Sequence, residues 1–215
     1  MTTALRADAQ RNLVRVLDAA REVFAEQGID APVTEIAERA GVGVGTIFRR
    51  FPTKDDLLVA VVEQRTTQLI EAADAALAQQ DAGTALRSFM ETAAAMQISD
   101  RCWCDATGTD LFAREGLREL VDELVSKMDA LLSRAQAAGH VRRDVRALDL
   151  PVLLMGVAKS GLMLEDAAPG AWKRYLGIVL DGLRPAAAHP LARRPLSARE
   201  FEAARQGPHL TNRQA

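Results

Sequence analysis

The stretch from Val33 to Lys54, VTEIAERAGVGVGTIFRRFPTK, limits the folds open to this chain more than any other, because it stops and restarts a helical pattern at fixed places. Ile36, Ala37 and Ala40 share one face of a short helix over Val33 to Ala40, and Gly41 ends it. A second helix covers Val44 to Phe51. Its Ile47 and Phe51 lie four apart and can dock on the first, which directs Thr46, Phe48, Arg49 and Arg50 elsewhere. Pro52 stops that helix. Two short helices joined by a tight glycine turn make a helix-turn-helix, in which one helix braces across a DNA backbone and the next puts its first residues into the major groove.

Charge supports that reading locally. Arg39 to Lys54 contains four basic residues and no acidic one, the footprint of a phosphate-contacting surface. Residues 1–54 carry 8 basic and 7 acidic side chains, residues 55–183 carry 13 and 20, and residues 184–215 carry 6 and 2. The middle of the chain is therefore repelled by DNA. Hydrophobic content of 48% over 215 residues fills a sizeable core, and strong helix formers without alternating apolar runs predict an all-α protein.

Along the chain, residues 1–9 are expected to be disordered, and helical periodicity begins near Gln10, with Leu13, Val16, Leu17, Ala20, Val23 and Phe24 on one stripe up to Gly28. Residues 10–54 form the helix-turn-helix head. Thr53 caps a long helix with Asp55 and Asp56 in its first turn, and this helix runs to about Gln80, linking head to body. Further helices span Gly83 to Ile98, Asp110 to Arg114, Glu115 to Ala138, Ala147 to Glu165 and Gly170 to Leu183, about nine in all, so that residues 55–183 form a helical body. Ala147 to Glu165 is apolar on nearly every side. Such a helix requires burial on every side, which predicts a second subunit. The expected interface is Leu150, Leu153, Leu154, Val157 and Leu162 with Leu176, Val179 and Leu183. Residues 184–215, rich in proline and arginine, are expected to be a disordered tail.

The string EIAERAGVGVGTIFRRFPTKDDLL, preceded by FAEQGID, resembles the DNA-binding head of the TetR family of bacterial transcription repressors. DLPVLLMGVAKSGLM followed by WKRYLGIVLDGLRP is similar to the last two helices of a TetR subgroup with SbtR-like C-terminal domains. The resemblance implies a homodimeric repressor on double-stranded DNA, one palindromic operator, and release when a small-molecule effector binds the body, which makes residues 55–183 a ligand-binding and dimerisation domain. Gly43 stands where many members have Ser and Phe48 where many have Tyr, each removing a hydroxyl within reach of phosphate. Arg50 stands where His is common and adds a permanent charge. The grip is expected to be mainly ionic and steeply salt-dependent.

The candidate DNA contacts are Thr34, Gly43, Val44, Gly45, Thr46, Phe48, Arg49, Arg50 and Lys54. Thr34 and Thr46 either donate to phosphate or bond their own helix. Val44 can touch a thymine methyl and Gly45 permits close backbone approach, although plain turn geometry explains both equally. Arg49 and Arg50 suit phosphate or guanine, and Lys54 suits phosphate.

Met90, Met96, Trp103, Phe112 and Met128 are candidate walls of a ligand cavity, although such residues at helical spacing also make ordinary core. His140 with Arg142 and Arg143 reads as surface capping after a helix stop. Cys102 and Cys104 lack a nearby histidine and form no metal-binding pattern, so no cofactor and no metal are expected, and no enzyme activity. Two other readings stay open: an all-α dimeric interaction module and a cysteine-based redox sensor. With no signal-peptide pattern and no run of ~20 apolar residues, the expected location is the cytoplasm, without membrane contact.

Overall fold

The computed structural model describes residues 2–99 and 114–206, and every regular element among them is helical. These are α1 (Thr2–Gln27), α2 (Val33–Ala40), α3 (Val44–Arg50), α4 (Lys54–Leu77), α5 (Ala82–Ser99), α6 (Glu115–Ala137), α7 (Asp149–Leu164), α8 (Trp172–Gly182) and α9 (Ala198–Gln206), with a 3-10 turn at Pro185–Ala187. The short helix expected over Asp110 to Arg114 falls largely outside the described residues.

α1 buries Val16, Leu17, Ala20, Val23 and Phe24 and ends at Gly28, which closes the helix with a hydrogen bond to the Phe24 carbonyl. It begins at Thr2, not near Gln10, which corrects the expectation of a disordered N-terminus. Ala4, Leu5, Arg6, Ala7, Ala9 and Gln10 are good helix formers, and extending an existing helix costs far less than nucleating one. α2 closes with Gly41 at φ +66, where the Gly41 and Val42 amides return to the Glu38 and Ala37 carbonyls. This left-handed stop turns the chain into α3.

The interior divides into two clusters. The first joins α1, α2 and α3 to Leu57–Val62 of α4 and, from far along the chain, to Leu117 of α6. The second runs from Leu69 of α4 through α5, α6, α7 and α8. α4 thus serves both clusters and lies along α6, its principal neighbour. Arg134 of α6 ties down the far end of α4 by donating to the Leu77 and Gln79 carbonyls at 2.6 and 2.8 Å.

Two further expectations are corrected beyond α6. Arg142 is not a surface cap: it is buried, donates through Nε and Nη2 to Asp144 at 2.7 and 2.8 Å, and reaches the His189 carbonyl at 2.5 Å. It thereby holds the segment after α8 against the body, so residues 184–206 are not a disordered tail. Within that segment Ser197 and Glu200 make a reciprocal cap for α9, and Arg194 grips both oxygens of Glu200 at 2.8 Å.

The residues expected at a dimer interface mostly face the subunit's own interior. Leu150, Leu154, Val157, Leu176 and Leu183 are buried within the subunit, and Leu153, Leu162 and Val179 are half-buried. The apolar side chains left bare are Val152, Met155 and Met163 on α7 with Tyr175 and Ile178 on α8. Apolarity on all sides of α7 predicts cover for two faces. It does not say which face the subunit's own core takes.

Candidate nucleic-acid interface

Three local structures position the head's outer surface. Gly43 is the extended N-cap of α3, and the Thr46 amide bonds its carbonyl at 2.8 Å with no side-chain cap. Ile47 and Phe51 are buried, so their side of α3 is pinned to the head core. The chain then turns through Pro52 into the capping box of α4, where Thr53 Oγ1 accepts from the Asp56 amide at 3.1 Å and Asp56 Oδ2 accepts from the Thr53 amide at 3.0 Å.

What remains outside is the free side of α3 and its flanks. Phe48, at 43% exposure, and the exposed Arg49 and Arg50 occupy the free side of α3, with Gly43 and Gly45 open to solvent at its front. A Cβ at Gly45 would meet nothing within 4 Å, so no internal contact requires glycine there. Val44 and Thr46 are half-buried, Lys54 begins α4, and Thr34 stands exposed on α2. The hydroxyls of Thr34 and Thr46 have no bond partner among the described residues, whereas Thr66 and Thr67 of α4 bond back to Val62 and Glu63. All nine sequence candidates therefore come to the head's surface or its edge.

The charge of this surface is smaller than the sequence count implies. Arg39 donates through Nη1 and Nη2 to both oxygens of Glu26 at 2.7 and 2.8 Å, and this pair lowers the Glu26 carboxyl below its ordinary range and raises the Arg39 guanidinium. With Gln27 bonded to Glu35, it braces α1 against α2. Arg49, Arg50 and Lys54 enter no ion pair among the described residues, and Arg50 lies over the Phe51 ring at 5.9 Å, which steadies its stem without neutralising it. Nothing in the local sequence signals the Arg39–Glu26 pair, since the partners are thirteen residues apart and meet only when α1 packs on α2.

The other candidates separate from this surface. Met90 and Met128 are packed in the second core, Met96 is half-buried beside it, and Trp103, Phe112, Cys102 and Cys104 lie outside the described residues. Among the described residues no cluster of His, Cys, Asp or Glu suits a metal, and no helix is long and apolar enough to cross a membrane.

Residues 16–61 match the family model of bacterial regulatory proteins of the tetR family, and residues 81–185 match that of the transcriptional regulator SbtR-like C-terminal domain. The transcriptional repressor KstR of Mycolicibacterium smegmatis is 33% identical over 147 residues, covering 65% of this chain and 71% of that protein. The fatty acid metabolism regulator protein of Bacillus subtilis is 26% identical over 142 residues, covering 62% and 73%. Among solved structures, a TetR transcriptional regulator from Streptomyces coelicolor is 32% identical with a TM-score of 0.62, covering 81% of this chain and 99% of that one. FadR of Bacillus subtilis in complex with stearoyl-CoA superposes with a TM-score of 0.67 over 82% of this chain and 99% of its own, and at 20% identity it shares the fold alone.

Proposed function

Because the chain belongs to the TetR family of DNA-binding transcriptional regulators, we propose that it is a homodimeric repressor whose head grips each half of a two-fold-symmetric operator and lets go when a small molecule occupies the body. Members of this family are regulators and not enzymes, and neither the interaction-module nor the redox reading is needed to account for the chain. A cytoplasmic location follows from the same reading.

The observation that carries the proposal is the bare surface of α3 and its flanks: three unpaired cations, two unpartnered hydroxyls and an exposed ring around a helix tip with no side chain at Gly43 or Gly45. Phosphate takes Arg49, Arg50 and Lys54, with the threonine hydroxyls beside them, while Val44 and Gly45 meet the groove floor. The bare faces of α7 and α8 pair with those of a second copy, which sets the recognition helices ~34 Å apart or somewhat more. In the body, a ligand entering beside Met90, Met96 and Met128 displaces flexible methionine side chains and favours a different tilt of α4.

A salt-resolved titration against the DNA flanking the protein's own gene tests this. Three ionic contacts in each of two heads give a log–log salt slope of about −5, and Lys54→Ala weakens it by about one unit per head. Binding without two-fold-symmetric protection, or a slope near zero, would remove the reading.

A further inference from the structure

α6 lies by sequence in the body, yet its first turn is built into the head. Leu117 is fully buried in the core that α1, α2 and α3 share with the start of α4, and Val121 packs on the same cluster. Three residues earlier, at the extended N-cap of α6, Arg114 donates from Nη1 to Oδ1 of Asp56 at 2.6 Å. Asp56 is the residue whose other oxygen holds Thr53, by its amide at 3.0 Å and its hydroxyl at 2.7 Å, and so fixes the first turn of α4 beside Lys54. One carboxylate therefore joins the cap of α4 to the residue that caps α6. Between them Gly116 comes close to α4, where a Cβ would stand 3.5 Å from Glu63 Oε1.

The two contacts do different things. An apolar plug resists separation but has little directional preference, whereas a charged hydrogen bond is directional. Leu117 and Val121 hold the head core against α6 through apolar contact alone. The bond from Arg114 to Asp56 adds a directional tie between the starts of α4 and α6.

We propose that Arg114 and Leu117 are positioning residues for operator recognition: they lock the angle between head and body and thereby set the half-site spacing that the dimer accepts. The inference rests on the head's being the DNA-contacting unit, but neither residue touches DNA. One base-pair step is ~3.4 Å along the duplex, so a modest swivel of each head is enough to change the accepted spacing.

Two measurements on the full-length protein test it with wild type, Arg114→Ala, Arg114→Lys and Leu117→Val. In the first, without DNA, spin labels on Glu38→Cys in a Cys102→Ser, Cys104→Ser background report the distance between heads. Arg114→Ala broadens the distribution and Leu117→Val broadens it less, while Arg114→Lys keeps it narrow. In the second, half-site spacing in the operator is changed by one and two base pairs either way. Arg114→Ala lowers affinity at the best spacing by about threefold to tenfold, as expected for loss of two exposed pairs per dimer, and leaves the other spacings unchanged, so the profile flattens. Arg114→Lys restores it. An equal loss at every spacing, or an unchanged profile with an unchanged distance distribution, overturns the proposal. A broadened distribution in a protein that protects no operator supports the positioning role and removes the repressor reading instead.

Discussion

Gly45 sits inside α3 with open space where a side chain would be, so its identity is unexplained by anything within the protein. Gly45→Ala removes the backbone freedom that weakens a helix and should raise stability by up to ~1 kcal/mol. If α3 meets the groove floor, the same methyl weakens operator binding by roughly tenfold, the size of a lost base contact. Thermal melts and a binding titration on one variant therefore move in opposite directions, and a rise in both would exclude close approach at this position. Gly43 differs, because its extended N-cap geometry accepts any residue. There Gly43→Ser supplies a cap worth a few tenths of a kcal/mol and restores a hydroxyl on the phosphate side.

At the scale of elements, the start of α4 carries the most concentrated polar chemistry near the head. Thr53→Ala removes a capping side chain and should cost ~1 kcal/mol, read as a lower Tm. The bond from Thr53, followed by that from Arg114, lowers the Asp56 carboxyl below its ordinary range. The folded state therefore favours the ionised form. The resulting stability is complete at pH values above the ordinary carboxylate range and disappears as pH falls through the depressed folded value. The Tm gap between wild type and Asp56→Asn should be constant near neutrality and close in strong acid; a gap that widens in acid would contradict the assignment. This element also shows what the sequence made legible. Thr53, Asp55 and Asp56 announced the cap, and helix boundaries came within a few residues for α2, α3, α6 and α8, because caps and periodicity are local. Arg39–Glu26, Arg114–Asp56 and the anchoring of the last segment by Arg142 were not legible, since each joins residues that only packing brings together. The head surface was readable because a short motif contains it. A cavity would be assembled from many helices, and the methionines proposed for it turn out to include filled core positions.

For the whole molecule, the bare stripe of Val152, Met155 and Met163 with Tyr175 and Ile178 is the face the proposed dimer would use, apart from the face that packs in the subunit's core. Met155→Glu combined with Ile178→Glu should yield a folded monomer by light scattering. Leu154→Ala, inside the subunit, should instead lower its stability by ~2–5 kcal/mol without first dissociating it. Dissociation by Leu154→Ala at unchanged Tm would reverse the assignment of the two faces. Leu117 carries a different consequence. A chain is made from its N-terminus at ~5–20 residues per second, so the DNA-reading head is synthesised before α6. Yet that head closes its core with a side chain from α6, which is synthesised only after all of α4 and α5. On the ribosome the nascent head thus waits with an unfilled apolar notch until Leu117 emerges, and a fragment ending at Val62 should expose that notch to dye binding and proteolysis.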